Sequence, residues 1–123
     1  MTEKQLAKQL DSLFFRYVRL MADGYCKCCK ERVGFKNLQS AHVFGRIRHT
    51  VRWNTKNVYA LCSRCHYYLD LNPIKKANFL YEVLSSKEIE ELERLANMTT
   101  KEYPIDKEAL MAELKEKIKS LEE

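Results

Sequence analysis

"CSRCHYYLD", residues 62–70, sets Cys62 and Cys65 two residues apart and places His66 directly behind the second cysteine. A matching pair, Cys26 and Cys29, lies in "CKCC" at 26–29. Two such pairs predict a single tetrahedral Zn²⁺ site of structural type, because the two-residue gap lets both sulfurs of a pair reach one ion. The segment between the pairs is long enough for a hairpin and a loop. Cys28 offers a rival pairing with Cys26, but a one-residue gap suits the knuckle poorly, so Cys28 reads as a free thiol beside the site. Metal binding would become folding free energy for a middle segment with little apolar material. With four thiolates satisfying zinc, three readings of His66 remain: a spare ligand, a packed histidine, or the edge of a second site.

Working outward, 123 residues suit one domain, read as an N-terminal helix (1–23), a metal-held core (24–76) and C-terminal helices (77–123). A hydrophobic content of 46% fits a globular chain rather than a disordered one. Five cysteines are an odd number, and four of them fall in tight pairs. That argues for metal in a reducing compartment and against a disulfide framework. No stretch reaches the roughly 20 apolar residues that span a bilayer, and "MTEKQLAKQLD" carries no signal-peptide core. The expectation is a soluble cytoplasmic protein with no membrane partner.

The formal charge of +5 is unevenly spread. Residues 24–76 hold eleven Lys/Arg against Glu31 and Asp70, a balance of +9. Residues 77–123 hold seven Lys/Arg against twelve Asp/Glu, a balance of −5. A cationic middle beside an acidic tail points to a polyanion-binding surface, and nucleic acid is the commonest such partner. A merely solvated basic face is the bland alternative.

Periodicity predicts an amphipathic helix over 3–22, with Leu6, Leu10, Leu13, Phe14 and Tyr17 recurring at steps of three and four before Gly24 ends it. "NLQSAHVF" (37–44) and "NVYALC" (57–62) read as short strands around a basic loop, "GRIRHTVRW" (45–53). "SRCHYYLDL" (63–71) starts a helix that stops before Pro73. Pro73 opens the next helix, with Ala77, Leu80, Tyr81 and Leu84 expected on one side. Ser85 and Glu88 form a capping-box pattern for another. Asp106 caps a last helix whose Leu110, Leu114, Ile118 and Leu121 make a stripe suited to helix packing or a homodimer seam.

His42, Asn57 and His66, at intervals of fifteen and nine in a segment that also holds both cysteine pairs, give this stretch its family likeness. Residues 16–84, through "YVRLMADGYCKCC", "AHVFGR", "RW", "NVYALCSRCH" and "NPI", resemble phage and prophage HNH endonucleases of the NinG-like recombination type. The resemblance implies an α+β fold: a small zinc-stabilised ββα-metal core (His-Me finger, treble-clef-like) flanked by helices, in a bacterial or phage-infected cytoplasm. It implies a metal-dependent DNA nuclease that leaves a 5′ phosphate and a 3′ hydroxyl. His42 would be the general base, Asn57 would tie the loop between the strands, and His66 would hold a catalytic Mg²⁺ or Mn²⁺. Ala41 departs from the family pattern, which often has an acid or histidine just before the base. Asp70, four residues after His66 and on the same helical face, partly compensates as a second ligand.

Arg46, Arg48, Arg52, Lys56 and Arg64 would form a rim that grips DNA phosphates, with Arg46 and Arg52 matching the family's "GR" and "RW". Trp53 either packs under the loop or stacks on a base. His49 fits no role beyond phosphate contact or exposure. A non-catalytic zinc-finger module that binds nucleic acid is the alternative, and Ala41 is the feature that favours it.

Overall fold

A computed structural model describes residues 1–123 as a small α+β fold of five helices and one two-stranded antiparallel sheet. Helix α1 (Glu3–Met21) begins at a capping box. The Gln5 amide donates to Thr2 Oγ1 at 3.1 Å and the Thr2 amide donates to Gln5 Oε1 at 2.9 Å. Two otherwise orphaned amides are thereby satisfied. Leu10, Phe14 and Val18 are buried along one face of α1, at steps of four. After α1, Gly24 (φ +85°) and Gly34 (φ +88°) hold backbone conformations that other residues rarely adopt. They close a short hairpin in which the Val33 and Gly34 amides both donate to the Gly24 carbonyl, at 2.9 and 3.1 Å. Cys26 and Cys29 sit inside that hairpin.

A single 3₁₀ turn (Phe35–Asn37) leads into β1 (Leu38–His42), which pairs antiparallel with β2 (Val58–Cys62). Leu38 lies opposite Cys62, and His42 lies opposite Val58. Helix α2 (Ser63–Leu71) follows β2 without an intervening residue, so the sheet and α2 together carry His42, Cys62, Cys65 and His66. Helices α3 (Pro73–Val83) and α4 (Ser86–Ala96) follow, each starting where its Pro73 or Ser85 signal predicted. On α3 the buried side chains are Phe79 and Leu80, while Ala77 and Tyr81 are exposed. The expected four-residue side is thus rotated. Phe79 docks edge-on against Tyr59, with ring centroids 5.5 Å apart, and that contact sets the face.

Helix α5 (Lys107–Glu122), capped by Asp106, packs along α1. Met111, Leu114 and Ile118 are buried, whereas Leu121 is exposed. Ion pairs from Arg16 to Glu122 and from Lys107 to Glu3 clamp the two ends of this contact, in which α5 runs parallel to α1. Most of the stripe read as a packing or dimer surface is therefore covered by α1 of the same chain. The main core joins α1, both strands, α2, α3 and α5. A smaller cluster sets Val51, from the loop between the strands, against Leu92, Leu95 and Ala96 of α4. No helix is long and apolar enough to cross a membrane.

Candidate functional site

Four sulfurs converge where the 24–34 hairpin meets the β2–α2 junction. The Sγ atoms of Cys26, Cys29, Cys62 and Cys65 all lie within 4.8 Å of one another, an arrangement able to hold a metal ion. A tetrahedron with metal–sulfur bonds of about 2.3 Å has sulfur–sulfur edges of about 3.8 Å. The Cys29–Cys62 separation is 4.0 Å. All five cysteines are free, and three of the four clustered ones are buried. The Cys62 amide donates to Cys26 Sγ at 3.3 Å, the kind of contact that stabilises thiolate charge. Cys28 stays outside the group of four, in keeping with a bystander thiol.

A second group gathers on the sheet side of α2. His42, His66, Asp70 and Lys76 line one small cleft with Ala41 and Phe79. The cavity volume there is about 10 Å³, room for about one water-sized particle. His42 closes β1, and its ring meets Phe15 edge-on at 5.3 Å. His42 Nε2 is buried and has no hydrogen-bond partner. An unpartnered buried nitrogen is costly, so it calls for a water or a ligand as partner. Burial and the nearby Arg46 charge push the His42 pKa below the usual imidazole value, with Asp11 acting weakly in the opposite direction. The ring is therefore neutral at neutral pH, with a lone pair free to accept a proton.

Asn57 is fully buried immediately before β2. Its Oδ1 accepts from the Phe44 amide at 2.8 Å, and its Nδ2 donates to the carbonyls of Phe44 and Val51, both at 3.0 Å. Its own carbonyl accepts from the Val43 amide at 2.8 Å. All of the side-chain amide's hydrogens are used. An aspartate there would lose both donors.

His66, on the first turns of α2, contacts Gln39 Oε1 through Nδ1 at 2.8 Å and faces Asp70 Oδ2 through Nε2 at 3.4 Å. Lys76 Nζ lies 3.3 Å from the other oxygen of Asp70. An imidazole nitrogen beside a carboxylate is a donor pair that could hold a divalent cation such as Mn²⁺ or Mg²⁺ with water completing its shell. These donors are chemically distinct from the thiolate group, which suits zinc. Ala41 is buried and supplies no ligand atom.

The basic rim divides. Arg52 is a correction to the expected rim: its guanidinium turns inward, with the side chain 15% exposed, and donates twice to Asp11 at 3.0 and 2.6 Å. Trp53 is buried beside it and donates Nε1–H to Asp11 Oδ1 at 2.9 Å, which decides for packing over base stacking. Arg48 is also committed, donating to the Ala96 carbonyl at 3.2 Å and to Asn97 Oδ1 at 2.9 Å at the C-terminus of α4. Arg46 and Arg64 remain largely exposed, with longer pairings to Asp11 (3.4 Å) and Glu31 (3.6 Å). Lys56 is half-exposed and pairs with Glu88 at 3.3 Å. His49 is exposed.

Sequence reasoning missed three residues of this neighbourhood. Asp11 sits on the buried face of α1, one turn before Phe14, and an acid on an apolar stripe is a readable signal. Gln39 shares a strand face with Ala41 by simple alternation. Lys76 carried no local signal. No family model, curated protein or solved structure matches the chain.

Proposed function

We propose that the chain is a metal-dependent endonuclease of HNH type that hydrolyses DNA phosphodiester bonds. The observation that carries this reading is the unpartnered, buried Nε2 of His42, a residue that borders the same small cleft as His66 and Asp70. His42, held neutral by burial, takes a proton from water. The hydroxide attacks phosphorus as the bond to the 3′ oxygen breaks, and that oxygen takes a proton from solvent water, leaving a 5′ phosphate and a 3′ hydroxyl. Asn57 keeps the 43–56 loop closed so that His42 stays at the cleft. His66 and Asp70 would hold a divalent cation, Mg²⁺ or Mn²⁺, which would supply positive charge to offset the negative charge that develops in the reaction. Zn²⁺ held by Cys26, Cys29, Cys62 and Cys65 braces the β2–α2 junction and so fixes the helix bearing His66. Arg46 and Arg64 provide the exposed positive charge for the DNA backbone.

Ala41 and the Lys76–Asp70 ion pair favour a second reading, a zinc-dependent DNA-binding module without catalysis. Supercoiled plasmid incubated with the protein and Mn²⁺, Mg²⁺ or EDTA separates the two. Nicked or linear product that requires the divalent ion supports the nuclease. Plasmid that is bound but intact supports the module.

A further inference from the structure

The shorter polar contact of the His66 ring is not with the carboxylate expected to share its cation but with Gln39. Gln39 stands on β1 opposite Leu61, and by alternation it shares the face of Ala41, turned toward α2. Its Oε1 lies 2.8 Å from His66 Nδ1. An amide oxygen can only accept, so Nδ1 must carry the hydrogen. In the neutral ring, Nε2 then holds a lone pair, and that nitrogen is 3.4 Å from Asp70 Oδ2. Two acceptors facing each other without a hydrogen between them repel. Either a second ring proton or a metal cation relieves the repulsion, and only the metal needs the lone pair of the neutral ring.

We propose that Gln39 is a positioning residue that holds His66 in the Nδ1–H form and presents Nε2, together with Asp70, to a divalent cation. Orientation of a ligand histidine through its other ring nitrogen is a general device of metal sites, and losing that partner weakens metal affinity 10–100-fold. Here the device sits two residues before Ala41, on a strand position that supplies no ligand of its own. The cation rests on the nuclease reading; the Gln39–His66 bond does not. The opposite amide orientation of Gln39 makes the contrary prediction. Its NH₂ would donate to Nδ1, Nε2 would carry the hydrogen and bond to Asp70, and no lone pair would be left for a metal.

Ring-nitrogen NMR on ¹⁵N-histidine-labelled, zinc-loaded protein at about pH 8, above the ordinary imidazole pKa near 6.5, distinguishes these cases. The His66 signals are assigned by their loss in His66→Ala. The wild type is expected in the Nδ1–H form, and Gln39→Leu is expected to move toward the Nε2–H form. A wild-type ring in the Nε2–H form, or a ring unchanged by Gln39→Leu, overturns the proposal. In parallel, Mn²⁺ titration should show affinity lowered about ten-fold in Gln39→Leu, at the lower end of the range because the pair is exposed. Gln39→Glu, which restores an acceptor, should restore affinity. Equal Mn²⁺ affinity in Gln39→Leu and wild type also overturns the proposal. Mn²⁺ affinity unchanged in His66→Ala overturns the cation assignment of the nuclease reading, while the ring signals still decide the role of Gln39. Zinc content, measured on each variant, shows that the frame is intact.

Discussion

The side-chain amide of Asn57 is hydrogen-bonded to both the amide and the carbonyl of Phe44, thirteen residues earlier, closing the loop between β1 and β2 as a backbone pair would. A third bond reaches Val51, the loop residue buried against α4. One side chain thus ties the start of the loop that follows His42 to its middle.

Asn57→Ala removes all three bonds and strands buried backbone groups that each cost about 1–3 kcal/mol. The expected loss of stability is about 2–4 kcal/mol, read by thermal or urea unfolding. The proposed nuclease activity should fall further than stability alone explains, because the loop next to His42 loosens. Zinc content should stay at the wild-type level.

Asp11 anchors the same loop from α1 through Arg52 and Trp53. Burial pushes its carboxyl pKa up, but the hydrogen bonds from Arg52 and Trp53 and the charges of Arg52 and Arg46 outweigh this and hold it below 3.8. A depressed folded-state pKa contributes stability that is present above 3.8 and lost as pH falls through the lower folded value. Asp11→Asn should abolish that acid-side contribution and destabilise the protein toward the lower end of about 3–5 kcal/mol, since Arg52 is left nearly buried without its partner. Unfolding curves recorded between about pH 2 and pH 7 check both.

The acid limb of the pH–rate profile should lie below 6.5, because burial and Arg46 disfavour the protonated His42 ring. Arg46→Ala removes one of those causes and should move the limb upward. His42→Ala should abolish cleavage while DNA binding and zinc content persist. An acid limb insensitive to Arg46→Ala would argue against His42 as the base.

The rim should divide under salt. Arg46→Ala is expected to lower the slope of log affinity against log salt by about one unit, as the loss of one phosphate contact does. Arg48→Ala should leave that slope unchanged and lower the melting temperature instead, because Arg48 bonds the end of α4. Fluorescence anisotropy with labelled duplex, alongside melting curves, reads both effects.

If the four thiolates hold zinc, as proposed, its removal should unfold the middle of the chain. Structural zinc contributes about 10–16 kcal/mol of binding free energy that is also folding free energy. Cys62→Ser, or chelation of the wild type, should therefore abolish the cooperative melt seen by circular dichroism. Cys28→Ser should leave zinc stoichiometry and melting temperature close to wild type.

Most elements were legible in the sequence because their signals are local. Thr2 with Gln5, Ser85 with Glu88, and Asp106 with Ala109 each satisfy helix amides three residues away. The two C-x-x-C pairs likewise announced their convergence, since few chemistries other than a shared metal require that spacing. His42, Asn57 and His66 could be singled out by their order, and the structure brings the two histidines to one cleft while Asn57 clasps the adjoining loop.

Other assignments depended on partners far along the chain. Arg46 and Arg52 looked alike in a basic loop, yet one is largely exposed and the other is locked to Asp11, forty-one residues away. Gln39 gained its meaning only when α2 laid His66 across it, twenty-seven residues on. The sequence by itself determined which segments become helices and strands and which sulfurs can share an ion, because those choices are made within a few residues. Only the tertiary structure decided which charges face solvent and which side chain orients His66, because each depends on what another element has already buried.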